Sequence, residues 1–393
     1  MKKFFLGISL ILGLGALLPA QFRSTHYEVI VPPGSADGAI YANQMEQRFD
    51  TYNRIFRFNP AGLSGLLRIR LFTEKSEYDA YVSSKLGSSR PGAVYLHYNT
   101  PASRELVVLR GSPEEEKILP HQAFIQFLRA FIPQPPAWIR EGFAVYFSTL
   151  IYDREKGALN YEENLSWLET VRQAGASASP ELILRADTNG APPNFQALAW
   201  SLVSFFVDNG SAVPPPPAAE NTPGGGNYFR TLTDLFMVLS PAASAEENAR
   251  AVYDRIVLFT PLRDLSRDYA VYVAAKKTFT ELVEEGQRAY GAKDFSAAGA
   301  LFRRAAALKP GHYAPPYYLG LLAYEEARYV EAEAFYKTAL DYGAERALIQ
   351  YARGINALAS GKKTEALAYL EEASSADPSK YRTRVEELVK KLE

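Results

Sequence analysis

The chain has 393 residues, 47% of them apolar and 13% aromatic, enough to build real cores in two or three domains. Its 43 basic and 44 acidic residues nearly cancel, so the strong positive balance of a nucleic-acid partner is excluded. With no cysteine, disulfides, thiolate metal sites, a cysteine nucleophile and a lipid-modified cysteine are excluded as well.

The first twenty residues, MKKFFLGISLILGLGALLPA, carry a basic start at Lys2 and Lys3 and an apolar run from Phe4 to Leu18. This is the pattern of a signal peptide over 1–20 with cleavage near Ala20. The run is shorter than the ~20 residues of a spanning helix, so export is expected rather than an uncleaved anchor, and no transmembrane span remains after cleavage. Export without cysteine points to a bacterial periplasmic or secreted protein.

Tyr27–Val31 reads as a strand closed by Pro32, Pro33 and Gly34. From Ala39 to Phe56 the apolar residues Ile40, Met45, Phe49, Tyr52 and Ile55 predict an amphipathic helix. Leu67–Leu71 alternates with period two, as a half-buried strand does, and a short helix follows at Ser76–Lys85. Ala93–Tyr98 and Glu105–Leu109 flank Asn99-Thr100-Pro101 and predict a hairpin, so a small mixed sheet precedes the next helices. Glu114–Glu116 reads as a solvated acidic run before a helix.

Ile118–Ser148 predicts two helices joined by a proline elbow. Pro120 suits a first helical position, Pro133 stops the first helix, and Pro135-Pro136 starts the second. Folding back brings His121, Gln122 and Ile125 within reach of Glu141.

The second helix, Trp138-Ile139-Arg140-Glu141-Gly142-Phe143-Ala144-Val145-Tyr146-Phe147, resembles the glutamate-bearing helix of gluzincin-type zinc metallopeptidases, in particular the peptidase MA-like branch. That resemblance implies a zincin-like fold, an H-E-x-x-H helix with two histidine ligands and a general base, and a glutamate ligand. Here His121 stands at the first ligand position, Gln122 replaces the base and Ile125 replaces the second histidine. An amide has no accessible pKa for base work, and two ligands do not make a tight site. His121, Gln122, Ile125 and Glu141 are therefore vestigial positions of a pseudoenzyme, with no catalytic residue and no cofactor expected. Were a metal bound, His121 and Glu141 would hold it. The alternative is a functional zinc peptidase with an atypical ligand set, using His97 to complete it. Phe124, Ile125, Leu128, Phe131 and Ile132 form one apolar stripe, which places Ile125 in the core and leaves Glu141 as the expected partner of His121, with Arg140 beside it for a salt bridge. The resemblance also implies that a sheet edge borders the cleft; a plain scaffold strand is the expected reading.

Further helices are predicted at Tyr161–Gln173, Phe195–Asp208, Tyr228–Leu239, Ala245–Leu258 and Leu262–Lys277, with no second sheet. Gln196-Ala197-Leu198-Ala199-Trp200 resembles the helix that follows the site in the same family. Pro214–Pro217 and Gly224–Gly226, within residues 209–227, read as a surface excursion, with a lid as the sharper reading.

From Phe279 a pattern recurs every 34 residues: Gly286, Gly320 and Gly354; Ala298, Ala332 and Ala366; Ala305, Ala339 and Ala373. With Phe302, Tyr336 and Leu370 at the bulky position, this is similar to the tetratricopeptide (TPR) repeat. Small positions let the helices of a unit approach, and the bulky ones are expected to fill the space between units. The expected architecture is an α+β domain over 26–277, gluzincin-like, followed by an all-α TPR solenoid of three repeats over 279–378 and a capping helix over 379–393. The resemblance implies protein or peptide binding in the TPR groove, and the expected role is binding or scaffolding in the envelope.

Overall fold

The computed structural model describes residues 20–33, 35, 37–153, 157–161, 165–186, 191–209 and 228–390. Residues 1–19 of the expected signal peptide and the Pro214–Gly226 excursion lie outside these residues, whereas Ala20, the last residue of that expected segment, is described. The backbone separates into two compact units: the chain up to Tyr161 with Glu169–Val273, and Glu162–Leu168 with everything from Ala274 on.

The first unit is built on a five-stranded sheet of β1 (Ala20–Arg23), β2 (Tyr27–Val31), β3 (Leu67–Phe72), β4 (Ala93–Leu96) and β5 (Glu105–Leu109), in the order β1-β2-β3-β5-β4. β2, β3 and β5 run parallel, while β1 and β4 lie antiparallel on the two edges. The expected β4–β5 hairpin is present, and it puts β4 on an edge. β1 carries too few apolar residues to have been read as a strand. Alternation in β3 buries Leu67, Ile69 and Leu71 and leaves Arg68 and Arg70 partly exposed, where Arg70 Nε donates to Glu105 at 3.0 Å.

Helices α1 (Gly38–Phe56), α2 (Lys75–Leu86), α3 (Glu115–Phe131) and α4 (Ala137–Tyr146) accompany the sheet. Phe49, Tyr52 and Phe56 of α1 meet Phe124, Phe127 and Phe131 of α3, with ring centroids as close as 5.2 Å. This aromatic cluster fixes α3.

Several expectations are corrected. α3 begins at Glu115, so Pro120 lies inside the helix rather than at its start. The only bond the ring removes is to the Glu116 carbonyl, in the exposed first turn where water can replace it. The acidic run is that first turn. Glu115 is buried, taking the Tyr41 hydroxyl and the Gly111 N–H. A second sheet does exist: β6 (Leu150–Asp153) pairs antiparallel with β7 (Ala158–Tyr161). The helix expected over 161–173 is only α5 (Leu168–Ala174), because β7 takes Tyr161. Then follow α6 (Pro180–Arg185), α7 (Phe195–Val207), α8 (Tyr228–Phe236), α9 (Ala245–Phe259) and α10 (Leu262–Ala275). Ser244 and Glu247 form the capping box that starts α9.

The second unit is a run of helix pairs, α11 (Phe279–Gly291) with α12 (Phe295–Leu308), α13 (Ala314–Glu325) with α14 (Tyr329–Asp341) and α15 (Arg346–Ala359) with α16 (Lys363–Ala376), ended by α17 (Pro378–Lys390). The 34-residue register has a steric cause. A Cβ on Gly286 would stand 2.6 Å from the Phe302 ring, one on Gly320 2.5 Å from Tyr336, and one on Gly354 2.7 Å from Leu370. The bulky residue thus fills its own unit against its own glycine, not only the space between units as expected. Phe302 does both, since its other face stacks on Tyr318 of the next pair at 4.7 Å. The six register alanines, Ala298, Ala305, Ala332, Ala339, Ala366 and Ala373, are fully buried. Tyr381 and Val385 of α17 cover Ala347 and Leu370, closing the last pair.

Candidate functional site

The hairpin α3–α4 lies beside the edge strand β4. Beyond its exposed first turn, α3 leaves Ile118, His121, Gln122, Ile125, Arg129 and Ala130 partly accessible, a stripe at helical spacing that is flanked by the buried Phe124, Phe127 and Leu128. Ile125 is therefore half-exposed on the same face as His121, which corrects its expected place in the core. Residues four apart share a face, whereas Phe124 and Leu128 sit about a quarter-turn away.

Gln122 has a structural task. The Tyr95 N–H, facing away from β5, donates to Gln122 Oε1 at 3.0 Å, so this side chain closes part of the sheet edge. The other end of that amide, Nε2, reaches His121 Nδ1 at 3.4 Å.

Glu141 is held on both oxygens. Arg140 Nε donates to Oε1 at 2.8 Å, the expected salt bridge, and Gln196 Nε2 of α7 donates to Oε2 at 3.0 Å. No hydrogen bond joins His121 to Glu141, contrary to expectation; the two only feel each other's charge. Gly142 sets this arrangement, because a Cβ there would stand 2.5 Å from the Ala199 carbonyl oxygen, and its absence lets α7 pack close enough for Gln196 to reach. The Gln196 contact has no signal in the sequence beyond the family likeness of its helix.

The charges follow from this geometry. Burial works to raise the Glu141 pKa, but the bonds from Gln196 and Arg140 outweigh it and hold the carboxyl below its usual range. Burial, then Arg140, keeps His121 below the usual imidazole value against the pull of Glu141. Burial and the nearby Arg129 and Arg104 push His97 down to about 4. Its Nδ1 lies 3.4 Å from the Tyr95 hydroxyl.

No protein-family model matches the chain, and no curated protein matches it. The site has to be judged on its own chemistry.

A catalytic zinc needs three protein donors and an open position. The residues present do not fit it. Ile125 has no donor atom, the Glu141 oxygens are taken by Arg140 and Gln196, and His97 sits among guanidiniums that would repel a dication.

In the second unit, the first helices of the three pairs line a hollow of about 290 Å³, with Phe279, Val283, Tyr313, Tyr317 and Leu348 as its apolar walls and Glu284 as its charge. Among the described residues no helix is long and apolar enough to cross a membrane.

Proposed function

We propose that this chain is an exported, catalytically inactive metallopeptidase-like protein of the bacterial envelope, gluzincin-like in its first unit, which binds or scaffolds protein partners through TPR-type helix pairs in its second. One observation carries the reading: the polar groups that hydrolysis would need free are spent on the protein itself. Gln122 holds the Tyr95 N–H, and Glu141 holds Arg140 and Gln196. Loss of base and ligand together leaves a scaffold, while the paired helices keep their register.

Support for the binding half is the aromatic hollow on α11, α13 and α15. Its walls offer flat apolar area with hydroxyl tips, the surface that a peptide or a partner helix uses. The reading is tested by capture from envelope extract with the full-length protein and with Tyr317→Ala/Phe279→Ala. A specific protein retained by the first and lost with the second is expected. Equal capture by both, or release of cleaved peptides from a library in a chelator-sensitive manner, would overturn it.

A further inference from the structure

The hollow on α11, α13 and α15 has a chemistry more specific than apolar area. Among the described residues that line it, Glu284 alone is ionised. Its carboxylate is exposed and makes no hydrogen bond or ion pair with any described residue. His312 also lines the hollow, and its Nδ1 accepts the Ala314 N–H at 3.2 Å, which requires the neutral imidazole. Burial, then Lys309, keeps that ring below the usual imidazole pKa.

The remaining walls are mostly rings. Tyr313 is 39% exposed and stacks on His312 with centroids 5.0 Å apart, and Tyr317 stands one turn further along the same helix. The hydroxyls of Tyr313 and Tyr317 have no partner among the described residues, whereas that of Tyr318 takes the Gln287 amide at 2.6 Å. An apolar occupant would strip water from Glu284 and return nothing for it. An anion would meet a carboxylate and the negative faces of the rings. A cation meets both with the right sign. The wall already draws one: Lys309, which does not line the hollow, holds its Nζ over the Phe279 ring at 5.3 Å from the centroid. Lys309 engages Phe279 alone, so Tyr313, Tyr317 and Glu284 are left without a cation among the described residues.

We infer that the hollow receives a cationic side chain of the partner, an arginine, with Glu284 as its counter-charge and Tyr313 and Tyr317 as its flat walls. A volume of about 290 Å³ suits one long side chain projecting from a partner rather than a whole helix. Arginine is favoured over lysine because its guanidinium is planar and weakly hydrated. It can lie against a ring while donating in its own plane to a carboxylate or a hydroxyl oxygen. The inference rests on the reading that the helix pairs bind a partner, and it names the chemistry of that contact.

The test is saturation-transfer NMR on the full-length protein with capped peptides, N-acetyl-Ala-Xaa-Ala-amide, in which Xaa is arginine, lysine, citrulline or norleucine. The arginine peptide is expected to bind most tightly and lysine next. Citrulline, the neutral isostere, and the apolar norleucine should be about three- to tenfold weaker than arginine, the combined worth of a cation–π contact and a screened ion pair. Glu284→Gln, a change at an exposed position that should leave the melting temperature unaltered, is expected to bring arginine towards the citrulline level. Tyr313→Leu keeps apolar volume but loses the ring, so it should weaken arginine and lysine and leave norleucine unchanged. No binding of the arginine peptide, equal affinity for arginine and citrulline, norleucine as tight as arginine, or unchanged arginine affinity in Glu284→Gln would each overturn the cationic assignment. Lysine tighter than arginine would overturn the choice of arginine. A protein captured by the full-length chain and lost with Tyr317→Ala/Phe279→Ala, beside peptides that show no preference for charge, would leave partner binding standing and remove only its cationic contact.

Discussion

His97 and Glu141 make the first unit sensitive to acid. The imidazole of His97, pushed down from 6.5 to about 4 by burial and its arginine neighbours, stays neutral in the folded protein where an unfolded chain would already take a proton. Between those two values the unfolded state binds more protons, so stability falls as pH falls through the window. Glu141 acts in the same direction lower down, because a carboxyl held below its usual value contributes stability above its unfolded pKa and loses it on protonation. Removing the titrating ring with His97→Gln should therefore flatten the pH dependence between pH 6.5 and pH 4. The difference is expected to be ~1–2 kcal/mol after allowing for solvent screening of this half-exposed ring, read from urea midpoints at pH 7 and pH 4.5. The identities of His121, Gln122 and Ile125 could be read directly from the chain, and so could the Arg140–Glu141 bridge, since the two are adjacent. That Gln122 would hold the Tyr95 N–H could not be read, because the bond exists only once the strand order puts β4 on the edge beside α3.

Elements with a strong period were legible, and those fixed by long-range pairing were not. α1, β3 and the helix pairs of the second unit fall close to where periodicity places them, because each has one face committed to a core, while α7 stands out as a continuous apolar run that is buried almost all round. β1, β6 and β7 are four residues each, too short to carry a pattern, and they form because a partner strand is present. Pro120 misled for a related reason: it marks a helix start in isolation, but the chain before it is drawn into α3 by Glu115 bonding to Tyr41 and Gly111. In the helix pairs the period translates into contact, and that can be tested. Gly320→Ala should cost ~1–3 kcal/mol through overpacking against Tyr336, measured by thermal or denaturant unfolding. Combining it with Tyr336→Leu should recover part of the loss relative to the sum of the two single changes, since the smaller side chain gives the new methyl room. A strictly additive double variant would show that the glycine is needed for something other than this contact.

At the scale of the whole molecule, the two compact units each bury their own core: aromatic rings around α1 and α3 in the first, the glycine–alanine–bulky register in the second. A protein whose helix pairs serve an external partner should keep its first unit intact without them. Truncation after Val273 is expected to leave the melting of the first unit unchanged within a degree or two. A large drop would mean that the pairs brace that unit instead. The sequence by itself determined the repeat and its period, the helical character of the second half, and the presence of an amide at Gln122 and an aliphatic side chain at Ile125, because these depend on residue identity and local spacing. Only the tertiary structure decided what these positions do. Ile125 lies on the accessible stripe and not in the core, Glu141 turns to Gln196 and not to His121, and the buried Arg129 Nε is left without a hydrogen-bond partner. Each of those outcomes depends on which elements pack side by side, and that is set by the burial of aromatic and small residues far from the site in the chain.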